Sequence, residues 1–240
     1  MRRRFCAMAL LTAGLVLACS DGAAPPLDTA DTESVVTQSR VFRPLSWMPM
    51  DAPLKFSVVR DVPEGDWRLD YDVLASPSAG APPLDDYRVS FWALVDEARG
   101  VQINWLEKSA SGVIEHPYLR FVVPAGSLDE DPYGHDYEHG DSVLITVTVD
   151  PQAMVAHLEP SGLTFDNDDP AELQYWYTGA GGDLNGDGAV NKEDAYIEQS
   201  LLDLWTTQKS GWAPLWATQS LSEDWFKAGI EHFSGFAIAY

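Results

Sequence analysis

Short apolar runs alternate with polar clusters from about residue 41 to the end of the chain. LKFSVV, YRVSFWALV, GVQINWLE, YLRFVVPAG, DSVLITVTVD, AELQYWY and WFKAGIEHF are rich in Val, Ile, Phe, Tyr and Trp, and Gly, Pro, Asp and Ser separate them. Several runs have period two. Ile145, Val147 and Val149 share one face of an extended segment, and Thr146 and Thr148 take the other. Short strands at this spacing predict an all-β fold, an antiparallel β-sandwich of two sheets packed face to face. The tryptophans are expected in its core, so aromatic richness alone is no sign of a ligand site. One segment departs from the pattern: EDAYIEQSLLDLW spaces Ile197, Leu201 and Leu204 for one face of a short helix.

The first residues follow a different rule. MRRRFCAMALLTAGLVLACSDG sets three arginines before an apolar run from Met8 to Ala18. That run is shorter than the roughly 20 residues a membrane-spanning helix needs, and its basic flank and small residue at Ala18 fit an export signal over residues 1–18. Val16-Leu17-Ala18-Cys19 resembles a bacterial lipobox. The resemblance implies cleavage before Cys19, lipidation of Cys19 and a membrane anchor in the cell envelope, facing away from the cytoplasm. Ser20, where an aspartate would resemble an inner-membrane retention signal, favours an outer membrane if the organism has one. Residues 19–40 are small, polar and acidic with a Pro-Pro pair, and read as a flexible tether.

Cysteine and charge narrow the picture. Cys6 and Cys19 are the only cysteines, and Cys6 leaves with the signal, so an exported domain has to stand without disulfides. The formal net charge is −22, and loss of a signal with three arginines and no acid takes it to −25. Such a balance repels nucleic acid, which is set aside as a partner, and favours cations such as calcium. His135 and His139 in GHDYEHGD would suit zinc if they lay on a helix, but the flanking glycines predict a solvated hairpin.

The sharpest motif is DLNGDGAVNKED, from Asp183 to Asp194. Its spacing is that of the twelve-residue calcium loop. Calcium takes six to eight hard oxygens without strict angles, so Asp183, Asn185 and Asp187 are expected to converge from alternate positions. Gly188 permits a sharp turn at positive φ. Ala189 is expected to supply its carbonyl, Asn191 a direct or water-mediated contact and Asp194 the closing carboxylate, with Val190 turned inward to anchor the loop. The closing aspartate, and the lack of a helical pattern before the loop, make it resemble half of a dockerin repeat more than a full EF-hand. Dockerins bind cohesins through two such repeats, and this chain has one.

LRFVVPAGSL (119–128), GDSVLITVTVD (140–150), LEPSGLTFDNDDPAELQYWY (158–177) and the terminal HFSGFAIAY together resemble a ZU-five domain. The resemblance covers residues 87–240. It implies a β-sandwich in which residues 179–200 are a calcium-loop insertion, residues 41–86 form a strand-rich N-terminal extension, and GFAIAY is the last strand. Within some ZU-five proteins His-Phe-Ser cleaves itself between Phe and Ser. The matching residues are His232, Phe233 and Ser234, where Ser234 would attack the preceding carbonyl with help from His232.

These readings lead to a calcium-binding, membrane-anchored envelope lipoprotein that acts as a non-enzymatic binding or scaffold module, its protein partner unidentified. The alternative is a self-cleaving module with His232 and Ser234 as its active pair. No two carboxylates stand at a spacing that supports a conventional hydrolase.

Overall fold

The computed structural model describes residues 41–46, 52–62, 66–75, 87–150 and 152–240. The expected signal, Cys19 and the expected tether lie outside these. In chain order the strands are β1 (Leu54–Val62), β2 (Asp66–Ala75), β3 (Arg88–Leu94), β4 (Arg99–Ser109), β5 (Gly112–Val123), β6 (Ser142–Val149), β7 (Val155–Glu159), β8 (Ala171–Trp176), β9 (Asp203–Gln208), β10 (Gly211–Pro214), β11 (Thr218–Ser220), β12 (Trp225–Ile230) and β13 (Gly235–Ala239). A single short helix, α1 (Lys192–Tyr196), and a π-turn at Ile197–Leu201 lie between β8 and β9.

The strands form two antiparallel sheets, as the alternation predicts. One has the order β11-β12-β8-β5-β4-β1-β2, the other β10-β9-β13-β7-β6-β3. Ile145, Val147 and Val149 of β6 are fully buried while Thr146 and Thr148 are half-buried on the opposite face. Phe91 of β3 meets Phe121 of β5 across the sheets at 6.3 Å between ring centroids. Phe121 also contacts Phe165 and Phe233 at 6.4 and 5.6 Å, and those two rings are 5.1 Å apart. Burying each such side chain contributes about 1.5–3 kcal/mol, so this four-ring cluster is a principal clamp between the layers.

β1 and β2, expected as part of an extension, complete one edge of the seven-stranded sheet. β1 pairs with β4 from Leu54↔Trp105 to Arg60↔Arg99, and Leu54, Phe56 and Val58 are in the common core. The segment 41–46 also joins the sandwich. The N–H groups of Arg43 and Leu45 donate to the carbonyls of Tyr240 and Ile238, and Phe42 stacks on Trp212 at 4.4 Å.

β13 answers for its unbroken apolar sequence. It runs between β7 and β9, and all five of its residues are buried. A strand covered on both faces has no position for a polar side chain. The tryptophans divide: Trp205 is buried at 2% exposure, whereas Trp92 and Trp216 are 53% and 81% exposed, so the expectation that they fill the core fails for both. Trp216 has φ 57°.

The helix expectation is met in part. Ile197 is buried and Leu201 half-buried, but Leu204 lies on β9. The chain turns extended at Leu202, with ψ 136°, directly after the π-turn, so Leu204 falls beyond the helical segment.

A polar pair also lies inside the core. Tyr118 on β5 and Tyr175 on β8 are fully buried, with their hydroxyls 2.7 Å apart and their rings crossed at 87°. Burial pushes both phenols well above the ordinary tyrosine range.

Candidate metal centre

The segment between β8 and β9 leaves β8 through a 3-10 turn at Thr178–Ala180, passes through residues 183–194 and returns to β9. Its first half is shaped by Asp183. One carboxylate oxygen, Oδ1, accepts the N–H groups of Gly186 and Asp187 at 2.9 and 3.1 Å, and Oδ2 accepts that of Gly188 at 2.8 Å. Three backbone donors on one side chain bend the chain around it, and Gly186 and Gly188 take φ of 74° and 89° to close the turn. Gly188 therefore adopts the conformation expected of it.

The next two oxygen-bearing residues repeat the pattern. Asn185 Oδ1 accepts from the Asp187 N–H at 2.9 Å, and Asp187 Oδ1 accepts from the Ala189 N–H at 2.8 Å. The other Asp187 oxygen is the meeting point of the loop: the side-chain amides of Asn185 and Asn191 both donate to it at 3.3 Å. Asn191 also donates to the Ala189 carbonyl at 3.1 Å. Thus Asp183, Asn185, Asp187, Ala189 and Asn191 are joined in one hydrogen-bonded group. These are hard oxygens on a tight loop, and they fit calcium by chemistry and by order.

Asp194 is placed differently. It is 3% exposed, its Oδ1 accepts from the N–H groups of Leu184 and Asn185, and its Oδ2 accepts from that of Asn191. Asn191 Oδ1 accepts in return from the Glu193 N–H at 2.7 Å, so the pair forms a capping box on α1. Chiefly the Asn191 N–H, aided by those of Asn185 and Leu184, holds the Asp194 carboxyl below its usual range. Among the described residues no three His, Cys, Asp or Glu side chains come together as a metal-holding group.

Val190 corrects an expectation. It is 73% exposed and packs on Gly182 instead of turning into the core. Leu184, partly buried against the core, and Ile197 anchor the loop in its place. The capping box turns the chain into α1 directly after Val190, which leaves that side chain on the outer side.

Beside the loop lies a cleft of about 390 Å³, lined in part by Tyr177, Asn191, Asp194, Glu198 and Asp224. The Tyr177 hydroxyl donates to Glu198 at 3.3 Å, and Gln219 donates to the Glu198 carbonyl at 3.0 Å. Burial raises the Asp224 carboxyl. Sequence reasoning missed these residues because no local spacing joins positions 177, 198, 219 and 224.

The remaining candidate residues are apart from this loop. His135 pairs with Asp131 at 3.1 Å and His139 with Asp96 at 2.5 Å, so the two imidazoles go to different carboxylates on an exposed turn. Ser234 Oγ lies 2.5 Å from Thr206 Oγ1 and 3.3 Å from the Gly235 carbonyl. His232 is exposed, and among the described residues its side chain has no hydrogen bond. It is the neighbouring Phe233 that is fixed, inside the aromatic cluster. Comparison of the chain with protein-family models, with curated proteins and with solved structures finds no match.

Proposed function

We propose that this chain is a calcium-binding envelope lipoprotein, anchored through Cys19, whose sandwich serves as a non-enzymatic binding or scaffold module. The observation that carries the calcium reading is the hydrogen-bonded group of Asp183, Asn185, Asp187, Ala189 and Asn191, in which backbone N–H groups already fix the acidic side chains. A bound cation would supply charge neutralisation to a loop that gathers Asp183 and Asp187 at close quarters. The chain's own part is to hold the oxygens in order, and binding to the folded state alone raises stability by mass action.

Calcium titration of the melting temperature tests this. An exported site works at a dissociation constant of roughly 0.1 to 1 mM, so a rise over that range is expected, and Asp187→Ala removes most of it. The same calcium response in wild type and Asp187→Ala would sink the assignment. Cys19→Ser is expected to release the protein from membranes; retention of the processed mutant in the membrane fraction would place the anchor elsewhere.

A further inference from the structure

On the outer face of the seven-stranded sheet three strands bring together an amine, an amide and a carboxylate. Lys55 of β1 and Asn104 of β4 are direct cross-strand partners. Glu115 of β5 touches both: Oε1 accepts from Lys55 Nζ at 3.1 Å, and Oε2 accepts from Asn104 Nδ2 at 2.9 Å. The fourth member is Gln102, whose Nε2 donates to Asn104 Oδ1 at 2.9 Å and to the Ile103 carbonyl at 3.3 Å. The Asn104 amide therefore has a donor on its carbonyl oxygen and a proton acceptor at its nitrogen, and its cross-strand partner Lys55 is bonded to the same Glu115 carboxylate.

We propose that Lys55 and Asn104 join in an intramolecular amide bond, with Glu115 as the proton relay. Unprotonated Lys55 Nζ attacks Asn104 Cγ, and the charge that develops on Oδ1 is held by Gln102. Glu115 takes the proton from Nζ and delivers it to Nδ2. The Cγ–Nδ2 bond then breaks, ammonia leaves, and the new Nζ–Cγ amide remains. One C–N bond forms, one breaks, and nothing is oxidised or reduced. Lys55 and Glu115 are partly open to water, with side-chain exposures of 27% and 44%. About one ordinary lysine in a thousand is free amine near neutral pH. That makes the step slow, and loss of ammonia into bulk solvent drives it forward.

The product has a structural use. β1 carries the edge strand β2 on its far side, and a bond from Lys55 to Asn104 fastens this pair to β4. Like a disulfide, it ties residues distant in sequence and restricts the unfolded chain. The two cysteines, at positions 6 and 19, both precede the sheet, so a link of another chemistry is what remains for it. The proposal stands apart from the calcium loop and does not depend on it.

Tandem mass spectrometry of the digested full-length chain decides the matter. The expected result is a branched peptide joining residues 55 and 104, about 17 Da lighter than its two parts for the one ammonia lost. Lys55→Arg and Asn104→Ala should each abolish it. Glu115→Gln, a conservative change at an exposed site whose folding is checked by circular dichroism, should slow its formation at least tenfold. Wild-type protein that yields only linear, unmodified peptides at both positions after prolonged incubation overturns the proposal. So does a loss of 17 Da that maps to Asn185-Gly186, where ring closure gives the same mass. Formation at an undiminished rate in Glu115→Gln overturns the relay.

Discussion

The four-ring cluster around Phe121 and the loop 183–194 are held by opposite means. Phe121 is fully buried and meets aromatic neighbours from the facing sheet and from two connecting segments, so its place follows from removal of apolar surface from water. The loop buries little. Val190 is 73% exposed, and the turn keeps its shape through N–H bonds to Asp183, Asn185, Asp187 and Asp194. Apolar burial, which holds the sandwich, involves no charged group at its contacts. The loop is held by N–H bonds to carboxylates close together, and so depends on solution conditions. One chain thus carries a rigid body and a conditional element, and the difference shows where a signal such as calcium or acid would be felt.

That contrast breaks most readily in the core. Phe121→Ala should destabilise the protein by about 3–5 kcal/mol in urea unfolding, with or without calcium. A loss below about 1 kcal/mol would mean that the layers are not clamped there. Tyr118→Phe strikes the polar pair within the core. It leaves Tyr175 short of a partner and is expected to lower stability by about 1–3 kcal/mol; a double-mutant cycle with Tyr175→Phe should reveal a coupling between the two.

Ser234→Ala sharpens the comparison at the boundary strand. It removes the bond to Thr206 and should lower stability by about 1 kcal/mol, while the wild-type chain stays in one piece in denaturing mass spectrometry. Release of a fragment that begins at Ser234, absent in the alanine variant, would favour the self-cleaving alternative instead.

The smallest effect is confined to the loop. The Asp194 carboxyl is held below its usual 3.8, so its N–H bonds contribute stability above that pH and the contribution is lost as pH falls through the depressed value. Hydrogen exchange should show the amides of Leu184, Asn185 and Asn191 losing protection as pH drops from about 4, before those of β13. Simultaneous loss in both regions would mean that the loop is no separate element.

Much of the sandwich was legible before folding. Period two in DSVLITVTVD assigned Ile145, Val147 and Val149 to the inside, and the spacing of Asp183, Asn185, Asp187 and Gly188 marked a turn whose bonds are all local. Such features depend on residues within a few positions of one another, where covalent geometry fixes what can meet. The sequence did not reveal that β1 and β2 belong to the main sheet, that Val190 faces solvent, or that Thr206 holds Ser234. Nor did it bring Lys55 to Glu115, 60 residues away. By itself the sequence determined which faces are apolar, where the acidic loop turns and how negative the protein is. Only the tertiary structure decided which strand lies beside which, because an alternating pattern specifies a face and leaves the partner open until long-range pairing and core packing select one register.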